Sequence, residues 1–250
     1  FENVAVIVLL VLALLGLVAF VLLERRTGQP MVDLSLFRNV LFSLNLVMGF
    51  LVFFTLSGNF ILPFFLHLVE GYSTTQIGLM LMAQPVAMGL VAPLSGALSD
   101  RFGSRGISIL GLLLVTGGCL AISTMHAGMT PLGFVLRVIP LGLGLGTFNS
   151  PNNSAIMGVV PRDRLGVASG LLALTRNMGQ TSGLPMMGAL FTTQVIAFGG
   201  ALLNNDIASA APQALIAGVN VTYRIAAAAI FLATLLAVVA LGMDRKTRSQ

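Results

Sequence analysis

Two arginines, Arg137 and Arg176, stand inside long apolar stretches, and both stretches also carry side-chain amides. Asn149, Asn152 and Asn153 share the stretch of Arg137, and Asn177 and Gln180 share that of Arg176. Neutral donors and acceptors beside an arginine suit the holding of a solute. The chain also carries 16 Phe and 12 Met, and methionine walls adapt to large apolar or cationic shapes. The same residue types serve equally for lipid contact. Bond-making chemistry is not expected, so the protein reads as a non-enzyme. No nucleophile–base pair and no phosphate-binding loop is visible in the sequence. The lone Cys119 has no intrachain partner, and His67 and His126 fall in separate short loops. Neither a metal site nor a cofactor is therefore expected.

The elements that must position these residues are membrane helices. Of 250 residues, 56% are hydrophobic and only 8% are charged. Soluble domains carry about 25% charged residues, so this chain could not cover a water-facing surface. Mean hydropathy is +0.98. The expected fold is an all-α polytopic bundle. The formal charge of +5 comes from arginines in loops, which suits anionic lipid and does not point to nucleic acid.

Runs near 20 apolar residues predict helices that cross the bilayer core. Seven are expected: Val4–Leu23, Leu41–His67, Gln76–Leu98, Ile107–Thr124, Pro131–Val159, Gly166–Phe198 and Arg224–Met243. Asn45 and Asn59 in the second serve helix packing or line a pore. Residues 199–223 read as a longer, Ala-rich loop. Because the chain opens on Phe1 and enters an apolar run almost at once, it reads as a piece of a longer protein.

Basic residues alternate between connectors. Arg25, Arg26, Arg38, Arg101, Arg105, Arg162, Arg164, Arg245, Lys246 and Arg248 follow the odd-numbered spans. The other connectors lack Lys and Arg, apart from Arg224 at a helix start. By the positive-inside rule, the C-terminus and the Arg101 connector are cytoplasmic.

Depth makes Arg176 the costlier arginine. It lies about 18 Å along its helix from Arg164, at 1.5 Å per residue. A mid-membrane arginine costs about 2.5 kcal/mol or more unless it faces a cavity or finds partners. Both roles stay open for it. Arg137 is about 9 Å from the outer helix end, where a snorkelling, structural role competes with a cavity role. All eight acids fall in loops or at span ends. In a proton-coupled carrier, the group that binds the proton within the membrane would therefore lie elsewhere. Gly142, Gly146, Gly179 and Gly183 sit at spacings that let helix backbones approach closely.

The most informative connector contains Gly96, Leu98, Ser99, Asp100, Arg101, Gly103, Ser104 and Arg105. It reads as a tight charged loop. Asp100 is placed to meet the positive end of the following helix or of a neighbour, and Arg101 and Arg105 can pair with it or with a facing carbonyl. This stretch closely resembles G-x-L-a-D-r-x-G-r-k, the loop signature of the major facilitator superfamily, with Ser104 departing from the basic pair. Further stretches resemble its fourteen-span drug:proton antiporters. They include Leu34-x-Leu36-Phe37-Arg38-Asn39, Ser150-Pro-Asn-Asn-Ser-Ala155 and Thr175-Arg-Asn-Met-Gly179. Arg137 resembles the arginine of the fourth-helix motif R-x-x-Q-G, although Pro140 stands at the Gln position.

The resemblance implies the C-terminal half of a proton-coupled exporter of amphipathic molecules, working by alternating access. Residues 1–26 would be one of two extra central helices and 27–40 a cytoplasmic linker. Residues 41–243 would be the six-helix half and 244–250 a basic tail. The partners would be lipid, the missing N-terminal half, a small amphipathic substrate and protons, in a plasma membrane. A carrier of a defined metabolite, a non-transporting membrane module and a truncated product are the alternatives. An ion channel should show rings of charge or a filter loop, and neither is visible.

Overall fold

The computed structural model describes residues 4–24, 34–199 and 210–248. Arg25, Arg26, Asp33 and Asp206 lie outside them. Among the described residues the chain is helical, with no strand. The helices are α1 (Val4–Glu24), α2 (Val40–Leu56), α3 (Ile61–Leu68), α4 (Thr74–Leu81) and α5 (Ala83–Phe102). They continue as α6 (Ser104–Ile122), α7 (Pro131–Gly158), α8 (Leu165–Gly199) and α9 (Pro212–Arg248). A 3-10 turn at Ser57–Phe60 joins α2 to α3, and Met82 joins α4 to α5. Each pair therefore forms one interrupted rod.

Five described segments are long and apolar enough to cross a membrane: Val40–Leu68, Thr74–Phe102, Ser104–Ile122, Pro131–Gly158 and Pro212–Val238. α1 and α8 add rods of 21 and 35 residues. Val8, Leu12, Leu15 and Leu22 of α1 are exposed, a state suited to lipid and costly in water. The expected all-α membrane bundle is therefore the observed architecture.

Local chemistry sets the helix starts. Asn39 Oδ1 accepts from the amides of Leu41 and Phe42 at 3.0 and 3.3 Å, capping α2. Ser73 and Gln76 cap α4 reciprocally, each side chain meeting the other's backbone amide. Thr130 caps α7, with Pro131 in the first turn where no amide partner is lost.

Two boundaries differ from the sequence expectation. The charged connector is not a loop from Ser99 to Gly106. α5 continues through Phe102 and α6 begins at Ser104. Only Gly103 reverses the chain, at φ +90°, a conformation that a Cβ would strain. Polar residues at a membrane edge do not end a helix, because water and headgroups solvate their side chains.

The last helix begins at Pro212, not near Arg224. Asn220 and Thr222 lower the local hydropathy, yet the helical phase is unbroken. Ala214, Leu215, Val219, Tyr223, Ala226 and Ile230 are all buried, repeating at three- and four-residue steps. Arg224 is consequently an exposed residue within α9, well past its first turn.

The helices form two layers. α5, α7, α2 and α8 stand in front, while α6 and α9 back them. α6 packs on α7 and α9, α9 packs on α2 and α8, and α5 and α8 take the flanks. Between helices in lipid no hydrophobic force operates, so close backbone approach must hold them. A Cβ at Gly111 would lie 2.6 Å from the Phe148 amide nitrogen, and one at Gly118 would lie 2.5 Å from that of Leu141. Gly142 and Gly146 meet the α5 backbone at Gln84 and Met88. Gly179 and Gly183 meet the α2 backbone at Phe50 and Phe54. Three helix seams thus depend on glycine.

Hydrogen bonds place the connectors in two groups. Arg164 Nη1 donates to Ser35 Oγ at 2.8 Å, joining the α7–α8 connector to the segment before α2. At the opposite end Tyr72 OH donates to the Met129 carbonyl at 2.8 Å, and Asn220 Nδ2 to that of Met125 at 3.0 Å.

Candidate functional site

α7 and α8 bring three of the candidate cavity residues together. Arg176 Nη2 donates to Asn153 Oδ1 at 2.9 Å. The guanidinium also lies 5.1 Å from the centre of the Phe53 ring on α2. Asn152 is buried beside Gly49, and among the described residues its Oδ1 has no hydrogen-bond partner. Among the same residues Arg176 Nε is likewise buried without one.

Magnitudes show how a cation is tolerated here. A mid-membrane arginine costs about 2.5–3.5 kcal/mol on insertion scales. A charged hydrogen bond returns about 1.5–3 kcal/mol and a ring contact about 0.5–2 kcal/mol. The cost and the return are comparable, so no carboxylate partner is required. Among the described residues Arg176 has none. The site is a fixed positive charge with spare hydrogen-bonding capacity at Nε and at Asn152.

The other candidates lie apart from this cluster. Asn149 is half-buried one turn away on α7, and Asn177 is exposed on α8. Gln180 is exposed and, with Leu56, Ser57, Thr181 and Leu184, lines a cavity of about 320 Å³ between α2 and α8. Arg137 does not join them. Its Nε donates to Thr124 Oγ1 at 3.0 Å and its Nη1 to the Gly133 carbonyl at 2.9 Å. Those bonds tie it to the ends of α6 and α7, about 22 Å along α7 from Asn152.

A second polar group was not singled out as a site by the sequence. Asn59, in the 3-10 turn, donates through Nδ2 to Gln84 Oε1 at 2.7 Å and accepts from Tyr223 OH at 3.1 Å. Asn59 and Gln84 line a cavity of about 270 Å³ with Leu56, Leu81, Pro85, Met88 and Leu145. Both rods that carry them are interrupted at this level, α2–α3 at Ser57–Phe60 and α4–α5 at Met82. Partial signals were present: an Asn beside Ser57-Gly58, and Gln84 beside Pro85. Tyr223 carries no such signal, since residues 199–223 read as a loop.

The charged motif lies at the far end of α5. Gly96 faces Ser150, where an added Cβ would come 3.2 Å from its Oγ. Arg101 stacks on its neighbour Phe102, 5.3 Å from the ring centre. Asp100 is exposed in the last turn of α5 and makes no hydrogen bond or ion pair among the described residues. Arg105, half-buried, starts α6.

Glycine-seamed, apolar helices in two layers, with polar groups on the front layer, define a polytopic membrane helix bundle. The sequence model of the Major Facilitator Superfamily matches residues 2–184 and 48–250, and the chain belongs to that family. Its relatives in that family are described as transporters and as resistance and export proteins. The riboflavin transporter RibZ of Clostridioides difficile is 29% identical over 233 residues, 92% of this chain and 50% of that protein. Multidrug resistance protein Stp of Mycobacterium tuberculosis is 35% identical over 193 residues, 75% of this chain and 35% of that protein. The tetracenomycin C resistance and export protein of Streptomyces glaucescens is 33% identical over 188 residues, 73% of this chain and 34% of that protein. The chain spans about half or less of the length of these curated relatives.

Proposed function

We propose that the chain is the C-terminal half of a fourteen-span, proton-coupled exporter of drugs or other amphipathic small molecules. The observation that carries this reading is the front layer itself. Its α2, α5, α7 and α8, with the 3-10 turn after α2, carry Arg176, Asn152 and Asn153 as one polar group and Asn59 and Gln84 as another. The proton-binding carboxylate and the facing wall of the cavity belong to the N-terminal half. In this reading α1 is one of the extra central helices, and the protein sits in the plasma membrane with its C-terminus in the cytoplasm. Alternating access arises from rocking of the two halves about a midplane site. The Gly103 reversal and its flanking charges form the hinge on the cytoplasmic side.

Similarity to proteins described as a multidrug resistance protein and as a resistance and export protein supports the exporter reading. Similarity to a riboflavin transporter favours a second one, a carrier of a single metabolite. The complete gene, expressed in cells stripped of their own efflux pumps, separates the two. A multidrug exporter lowers accumulation of several unrelated dyes, and an uncoupler abolishes the effect. A metabolite carrier leaves dye accumulation unchanged.

A further inference from the structure

The hydrogen-bond chain at the α2–α5 groove has a fixed direction. Tyr223 is fully buried, and the only partner of its hydroxyl among the described residues is Asn59 Oδ1. A phenol can donate or accept, and a side-chain amide can be turned end for end. Turning Asn59 would leave the phenolic proton buried without an acceptor, which carries a full desolvation penalty. Tyr223 therefore donates, and Asn59 must present its oxygen to α9 and its amino group to α5. The amino group donates to Gln84 Oε1 at 2.7 Å. That fixes Gln84 in turn. Its Nε2 makes no hydrogen bond among the described residues and ends the chain at the wall of the 270 Å³ cavity.

The rest of that wall is apolar: Leu56, Leu81, Pro85, Met88 and Leu145 line it, and among the described residues no charged side chain does. We propose that this cavity is a subsite for the hydrogen-bond acceptor of a neutral, largely apolar solute, such as a ring carbonyl, which receives a hydrogen bond from Gln84 Nε2. Tyr223 and Asn59 are positioning residues that make the subsite select acceptors over donors. An ionised group would gain no partner there and would lose its hydration. The inference rests on the transport reading, since it names the chemistry that one part of the carrier's cavity accepts.

Three tricyclic probes of nearly one shape test it. Fluorenone carries an acceptor, carbazole an N–H donor, and fluorene neither. Their binding to the chain in lipid nanodiscs is measured by equilibrium dialysis, after subtracting partition into empty nanodiscs. Fluorenone should bind about tenfold more tightly than the other two, the scale of one well-made hydrogen bond. Tyr223→Phe keeps the ring but frees the amides to turn, so the ratio of fluorenone to carbazole affinity should fall towards one. Gln84→Leu should remove the fluorenone advantage over fluorene. Equal binding of all three probes to the parent chain overturns the proposal. So does a fluorenone:carbazole ratio that Tyr223→Phe leaves unmoved. Binding needs neither a proton gradient nor the other half, so this outcome is separable from transport. Intact probe preference without dye efflux from the complete gene counts against the exporter reading alone.

Discussion

Arg176 and Asn153 face each other across the α7–α8 seam, joined by a 2.9 Å hydrogen bond from the guanidinium to the amide oxygen. With Phe53 of α2 beside the same guanidinium, three front helices meet on one cation. Arg176→Ala in the complete transporter should lower dye efflux at least tenfold, about 1.4 kcal/mol of barrier. Arg176→Lys should not restore it, because an ammonium lacks the planar fork that donates and stacks at once. Initial efflux rates at matched protein levels check this. Unchanged rates in both variants would leave Arg176 a purely structural residue.

Glycine contacts make a sharper stability contrast. Gly111→Ala puts a methyl 2.6 Å from backbone in α7, whereas a Cβ at Gly117, on the same helix, meets nothing within 4 Å. The first should cost about 1–3 kcal/mol through overpacking. The second should be neutral or slightly stabilising, by about 0.4–1 kcal/mol. Cys119 is the single cysteine and is buried, so a thiol-reactive fluorogenic dye reports unfolding directly. The Gly111 variant should release its thiol at a clearly lower temperature than the Gly117 variant.

Gly103 carries a different requirement. Its φ of +90° is reached easily only without a Cβ. Gly103→Ala should cost about 1–2 kcal/mol of folding stability. Gly106→Ala, in the first turn of α6 with open space around it, should not. The same thiol-release assay compares them. In the complete transporter the Gly103 variant should also slow dye efflux, since it strains the proposed hinge.

Membrane orientation is tested by cysteine placement. The native Cys119 is shielded, so a new exposed cysteine reports alone. His126→Cys should react with a membrane-impermeant thiol reagent in intact cells. Asp163→Cys, in the connector bearing Arg162 and Arg164, should react only after permeabilisation. The reverse pattern would place the C-terminus outside.

Much of the fold was legible because one physical demand governs it. Spans had to be about 20 apolar residues long, and cations had to gather on alternate connectors. Helix seams were half legible. Gly142/Gly146 and Gly179/Gly183 stand in a recognisable spacing, whereas Gly111, Gly118 and Gly144 meet partners that only the packed structure brings close. Hydropathy misled at α9, where Asn220 and Thr222 masked a buried stripe that continues from Ala214 to Ile230. Tyr223 was lost with it. The hydrogen bonds of Asn59 reach Gln84 across 25 positions and Tyr223 across 164, so no local pattern could join them. By contrast, the amides near Arg176 were legible, because an arginine amid apolar residues needs polar partners. Arg137 has the same need, and Thr124 and Gly133 meet it.

In the proposed half-transporter this bundle is one wall of a cavity whose other wall lies in the N-terminal half of the same protein. Proteoliposomes carrying the 250-residue chain alone, the N-terminal half alone, or both together decide it, with gradient-driven dye uptake as the readout. The account predicts uptake only when both halves are present, and its loss when the gradient is collapsed. Gradient-driven uptake by the 250-residue chain alone would contradict it.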